Sequence, residues 1–476
     1  MMKKTLVLIA LIQIGVSVAA QNAIFEIGGK VVDSKGRGIE NVVVNDGLHF
    51  VQTDKNGAWR FSTDTTYCKF VSISTPAAYF LPARDGLAVF YKPMREVVKN
   101  VENTFVLTKR KKPCTSFSYI AISDPQVLNE EEMGRWRNET VRDMRQVADS
   151  LKRYREVIGM TLGDMMFDNL SLYGEFAQTC DMVGITVFQT IGNHDHDKRY
   201  QDLHNMRLGT PVYAEHLYNK YFGPTDYSFN IGNVHVITMK NINYVGRRQY
   251  IEAVTDQQLA WLANDLQYVP KGSVVFVNMH AAGWNKEGRD GNFRGAKEVA
   301  NLMKDYDVHF FCGHTHFFQN VEVAPRFYQH NIGAACGSWW AGDYSVCGAP
   351  NGYLVVDVNG NDVKWHFKPT KGDITHQFRV YMPGQFRSQP AAVVANVWDY
   401  DPHCKVEYYE DGKCKGAMEQ FVGIDEAYIV QQAKLGKKAD DLTRHLFRFK
   451  PSKGTKEVKI VFTNRFGEQY SQTCKL

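Results

Sequence analysis

The sequence predicts an α/β protein: a β-sheet core with flanking helices, preceded by an N-terminal β-sandwich and followed by a C-terminal β-rich module. Three textures along the chain predict it. From Phe25 to about Thr108, runs such as "GKVVDSKGRGIENVVV" and "VQTDKNGAWRF" alternate apolar and polar residues between Gly, Asn and Asp turns, the pattern of short strands in a small sandwich. From Cys114, apolar runs of strand length ("SYIAIS", "VIGMTLG", "ITVFQTIG", "SVVFVN", "DVHFFC") alternate with amphipathic stretches, as strands and helices do in an α/β domain. Past "ACGSWW" the strand pattern returns in "VEYYEDGK", "LFRFKPS" and "VKIVFTNRFGE". The chain, at 476 residues, exceeds one hydrophobic core, and the expected divisions are 1–20, 21–108, 114–350 and 351–476.

Each segment has its own local reason. The start, "MMKKTLVLIALIQIGVSVAAQNA", has two lysines, an apolar stretch from Thr5 to Val18 and small residues Ala19 and Ala20, which reads as a secretory signal peptide cleaved after Ala20. The mature protein is then expected to be periplasmic or secreted. No cysteine near the cleavage site suggests a lipoprotein anchor, and no later run is long and apolar enough for a transmembrane segment. "LTKRKKPC" reads as a solvated, charged linker. Helices are expected over about Asn138–Arg155, about Tyr173–Val183, from Thr255, whose spacing to Gln258 is that of a capping box, and over about Ala296–Tyr306. A net charge of +5 with no long basic run apart from Lys109–Lys112 argues against a nucleic-acid partner. Nine cysteines, an odd number with no C-x-x-C pair, read as buried thiols and not as zinc ligands.

The informative residues stand where the apolar runs end. "SYIAIS" ends in Asp124-Pro125-Gln126, "VIGMTL" in Gly163-Asp164, "ITVFQTI" in Gly192-Asn193-His194-Asp195, "SVVFVNM" in His280, and "DVHFFC" in Gly313-His314-Thr315-His316. In an open α/β sheet, ligands bind beyond the carboxyl ends of the strands, so five strand ends would bring these groups to one place. A carboxylate such as Asp164 can bridge two divalent cations, and imidazoles with an amide oxygen complete N/O shells suited to Mn, Fe or Zn. Glycines beside the ligands permit tight turns and close backbone approach.

In this order and spacing, "D-x-Q", "GD", "GNHD", a lone His and "GHTH" resemble the calcineurin-like metallophosphoesterases, in particular an exported bacterial subgroup with N-terminal and C-terminal β modules. The N-terminal segment is similar to transthyretin-like modules. The resemblance implies a metallophosphoesterase-type β-sheet core and two divalent metal ions, manganese among the candidates. It implies Asp124 and His316 on the first metal, with Gln126 beside them, Asp164 as the bridge, and Asn193, His280 and His314 on the second. His194 would be the catalytic histidine, donating a hydrogen bond or proton to the leaving group. Two positions depart from the family pattern. Gln126 stands where histidine is common and offers only an amide oxygen, a weaker ligand. Asp168 lies four residues beyond Asp164 where an orienting carboxylate often lies three beyond, so its role is open.

The implied activity is hydrolysis of a phosphomonoester, phosphodiester or nucleotide-like diphosphate by direct attack of hydroxide on phosphorus, on a small-molecule or lipid-linked substrate. The alternative is a catalytically weak binding protein that contacts glycans or phosphorylated ligands through its β modules. Asp195, His196 and Asp197 have no assigned role and fit a polar loop. Trp339 and Trp340 can either line a substrate cleft or pack. Specificity is expected from loops such as Arg199–Thr225 and Asn285–Arg294.

Overall fold

Ser116–Ile122 is a strand buried along almost its whole length, and the sheet grows outward from it on both sides. The computed structural model describes residues 24–198, 213–285 and 292–476. In strand order, the first sheet runs Asp362–Pro369, Gly352–Asn359, Ser116–Ile122, Glu156–Leu162, Thr186–Thr190, Leu87–Ala88 and Ala83–Arg84. Its centre is parallel, and Gly352–Asn359 joins antiparallel. The second sheet runs Tyr227–Ile231, Val234–Thr238, Val274–Asn278, Asp307–Cys312, Phe327–Asn331 and Gln319–Ala324. The two sheets pack through aromatic side chains: Tyr119 meets Phe276 and Phe311, and Phe188 stacks on Phe229 at 4.1 Å.

Helices cover both outer faces. On the first sheet, Trp136, Met144 and Phe176 bury against Ile120, Ile122 and Val187. On the second, Trp261, Leu262 and Val299 bury against Ile237, Val275 and Phe310. Strands enclosed on both faces read as continuous apolar runs, which is why they stood out in the sequence. The helix expected from Asn138 instead begins at Glu130 and passes through a π-helical stretch, Trp136–Val141, before Arg142–Leu151. Thr255 and Gln258 form the capping box ahead of Asp256–Asp265.

Three expectations change. The strand ends belong to two stacked sheets and not to one open sheet; the same rim still collects them, because the parallel strands in both sheets point that way. The division at 350/351 does not follow the sheets, since Gly352–Asn359 and Asp362–Pro369 complete the first sheet. The segment Lys109–Lys112 is not a solvated linker throughout: Arg110 is buried, pairs with Glu156 and lies 4.6 Å over the Phe80 ring. The N-terminal module is a three-stranded and a four-stranded sheet, and its Leu87–Ala88 pairs directly with the edge of the core. The C-terminal module comprises two four-stranded sheets from Phe378 to Lys475. All nine cysteines are free thiols. No helix among the described residues is long and apolar enough to cross a membrane. The signal segment 1–20 and most of the 199–225 and 285–294 loops lie outside the described residues.

Candidate metal centre

Five turns at one rim supply the site. Asp124, Gln126, Asp164, His314 and His316 all have left-handed backbone, with φ of 51°, 44°, 51°, 68° and 59°. Such values are uncommon for residues with a Cβ and persist only where the surroundings impose them, most often at functional sites. Glycines make the approach possible: a Cβ on Gly163 would lie 2.5 Å from His280 Nδ1 and 2.9 Å from the Gly192 nitrogen. The same substitution at Gly313 would drive into Ser123 and Asp124.

The side chains converge. Asp164, His280 and His314 place potential ligand atoms within 4.8 Å of one another. His280 Nε2 lies 3.4 Å from Asp164 Oδ2, 3.1 Å from Asn193 Oδ1 and 3.2 Å from His314 Nδ1. Beside this group, His316 Nε2 stands 3.4 Å from Asp124 Oδ1. His194 lies at the flank, where its backbone N–H donates to Asp164 at 2.8 Å. Gln126 is in the cluster but turns its amide NH₂ toward Asp164 at 2.9 Å. In that orientation it donates to the carboxylate and offers no lone pair.

The electrostatics fit a cation. Burial alone would push the Asp164 carboxyl up, but His280 and His194 hold it well below the usual carboxylate range. Asp124 is lowered in the same way, against its burial, by His316 and His280. Burial would lower His280, yet Asp164 and Asp124 push it up to about 10. A field that draws a proton this strongly onto a buried imidazole would also draw a metal ion. Among the described residues, His316 Nδ1 is buried without a hydrogen-bond partner, and Asp124 Oδ1 is buried with only the long 3.4 Å contact to His316 Nε2. Native proteins rarely leave such atoms unpaired, so the donor set suits metal ions.

Sequence reasoning left several neighbours unassigned. Asp168 accepts from His194 Nδ1 at 2.7 Å, so a spacing of four residues serves to orient the imidazole. Phe167 stacks on the same ring at 4.3 Å, and Lys198 pairs with Asp168 at 2.5 Å. Burial would lower His194, but Asp164 and Asp168 outweigh it and raise the group above its ordinary value. Glu252 Oε1 lies 3.1 Å from His314 Nε2, the nitrogen facing away from the cluster. Glu252 belongs to a two-stranded hairpin with no motif to announce it. Asp195 is buried and structural: it accepts from the backbone of Met165, Met166 and Gly192 at 3.0, 3.2 and 2.9 Å, fixing together the turns that carry Asp164 and Asn193. His196 and Asp197 are buried as well and do not form a polar surface loop. Trp340 is buried, with its indole N–H donating to the Pro125 carbonyl at 2.8 Å, whereas Trp339 is exposed beside His316.

Three family models match in succession: the N terminal of calcineurin-like phosphoesterase over residues 25–110, calcineurin-like phosphoesterase over 118–318, and the C terminal of calcineurin-like phosphoesterase over 329–470. No curated protein matches the chain. Among solved structures, the chain is similar to a dimetal phosphatase from Danio rerio (13% identity, 52% of this chain and 98% of that one, TM-score 0.34). It is also similar to a purple acid phosphatase from yellow lupin (11%, 72% and 67%, TM-score 0.36) and a 5'-nucleotidase from Candida albicans (12%, 54% and 52%, TM-score 0.33). These likenesses are remote, and the three successive family matches carry the conclusion: the chain belongs to the calcineurin-like phosphoesterases and carries both the N-terminal and the C-terminal module of that family.

Proposed function

We propose that the protein is an exported, metal-dependent phosphoester hydrolase with two divalent cations at the rim. The observation that carries this reading is the convergence of Asp164, His280 and His314 beside the Asp124–His316 pair. Asp124, Asp164 and His316 would hold one ion, and Asp164, Asn193, His280 and His314 the other. Gln126 supports the shared carboxylate as it stands, and ligates the first ion only if its amide rotates to present Oε1. Such N/O shells suit Mn, Fe or Zn. When bound, two cations supply charge neutralisation on the phosphoryl oxygens and a source of hydroxide near neutral pH.

The chain's own residues do the rest. With Nδ1 committed to Asp168, His194 presents Nε2 toward the leaving oxygen and can give it a proton. Phe167 keeps the ring from turning. Monoesters, diesters and nucleotide-like diphosphates are all compatible substrates, free or lipid-linked, and the N-terminal segment supports export. The test is hydrolysis of chromogenic monoester and diester by the mature protein in Mn²⁺, Zn²⁺, Mg²⁺ or chelator, with the bound metal counted by mass spectrometry. Metal-dependent turnover that Asp164→Asn abolishes is expected. Full activity in that variant, or in metal-free protein, would overturn the reading.

A further inference from the structure

We infer that Trp339 is a stacking platform for a planar aromatic group on the phosphoester, which makes nucleotides and aryl phosphates the substrate class. This inference rests on the phosphoesterase reading above. Of the eight tryptophans, six are at most 7% exposed and Trp284 is intermediate, whereas Trp339 is 44% exposed. A tryptophan placed for packing buries nearly all of its surface, and this one leaves almost half in solvent. Its ring lies 5.0 Å from that of His316, tilted by 38°, at the edge of the candidate metal centre.

The backbone holds the ring there at a cost. Trp339 and Trp340 are both left-handed, with φ of 53° and 57°. Residues with a Cβ keep that conformation only when contacts impose it, and here the contacts fall on Trp340. Its indole N–H donates to the carbonyl of Pro125, between Asp124 and Gln126, and its backbone N–H donates to Cys336 at 2.8 Å. Arg135 donates to the Trp340 carbonyl at 2.6 Å and lies 5.0 Å over its ring. Trp340 thus ties the turn to the strand end that carries Asp124, and Trp339 is the ring this anchoring sets beside the centre. Among the described residues, two other aromatic side chains border the centre, and both are less exposed: Phe167 stacks on His194, and Tyr250 meets His314 edge-on at 6.2 Å.

A π face beside the phosphoryl position does little for an aliphatic ester. It binds a base or an aryl ring, with little preference among bases because each has a π face. A ring fixed in advance loses little freedom on binding.

The test uses the full mature chain with metal, as wild type, Trp339→Ala and Trp339→Phe. Kinetics would be measured on adenosine 5'-monophosphate, phenyl phosphate and glycerol 2-phosphate, and adenosine binding by titration calorimetry. Trp339→Ala is expected to raise KM for the two aromatic esters about tenfold with kcat nearly unchanged, to weaken adenosine binding about tenfold, and to leave glycerol 2-phosphate unaffected. Trp339→Phe should restore most of the loss. An equal change on all three esters, no change on any, or wild-type protein that does not bind adenosine would overturn the platform. If no ester is hydrolysed yet adenosine binding depends on Trp339, the phosphoesterase reading fails and the platform stands. Hydrolysis without any dependence on Trp339 removes the platform and leaves the phosphoesterase reading in place.

Discussion

His194 and His314 each have a carboxylate on one ring nitrogen, the one that the proposed chemistry leaves unused. Asp168 holds His194 through Nδ1, and Glu252 holds His314 through Nε2. A partner of this kind sets the tautomer and the ring orientation. Asp168→Asn is expected to lower kcat on the order of a hundredfold, with the bound metal count unchanged, because the imidazole keeps its place but loses the acceptor-only carboxylate charge that sets its tautomer and supports its proton. Steady-state kinetics alongside metal analysis checks it, and a loss of metal would show the residue acting elsewhere. Glu252→Gln is expected to weaken metal binding about ten- to a hundredfold. Calorimetric titration with Mn²⁺ reads that change, and the melting temperature of metal-free protein should move little, since Glu252 is partly exposed.

Among the elements, the strand Asp307–Cys312 serves two ends: it leads directly into His314 and His316, and its body carries His309. That residue donates from Nδ1 to His330 Nε2 at 3.0 Å, and His330 donates in turn to Asn320 Oδ1 at 2.8 Å. This chain of bonds requires His330 neutral, because its Nε2 accepts while its Nδ1 donates. Burial pushes His309 down to about 3, with Arg465 adding to it, and burial with His309 and Arg465 pushes His330 well below the ordinary histidine value. The unfolded chain therefore binds more protons below about pH 6.5. Stability from this pair is full above that pH and is lost as pH falls, by up to about 1.4 kcal/mol per pH unit for each ring. The melting temperature should drop between pH 7 and pH 5, and His309→Gln should drop less steeply. An equal slope in the variant would contradict the assignment.

For the whole molecule, the flanking modules are parts of the core and not appendages. Leu87–Ala88 covers the edge of the Thr186–Thr190 strand, whose chain continues into Asn193 and His194. On the other side, Arg465 pairs with Asp401 at 2.7 Å and lies over Tyr328 of the second sheet and Trp365 of the first, locking the C-terminal module onto both. Removing residues 24–110 would bare a buried parallel strand edge and the Phe90 contacts with Phe188 and Tyr227. The truncated protein is expected to aggregate in size-exclusion chromatography, whereas a soluble, active monomer would show that the core stands alone.

The sequence by itself determined the α/β class, the strand runs and the identity of the clustered residues. Period-two and apolar-run patterns are local, and Asp124, Asp164, Asn193, His280, His314 and His316 each follow such a run directly. Tertiary structure decided what depends on strand order and on side-chain direction. Two stacked sheets replaced one open sheet, and strands Gly352–Asn359 and Leu87–Ala88 came from segments read as separate modules. Asp168 found His194 across a turn that spacing could not place, and Glu252 reached His314 from a hairpin 62 residues earlier. Gln126 turned its donor to Asp164, and Trp339 and Trp340, identical in sequence terms, divided into an exposed ring and an anchor. Contacts between residues far apart in the chain are set by packing and backbone direction, which no local pattern encodes.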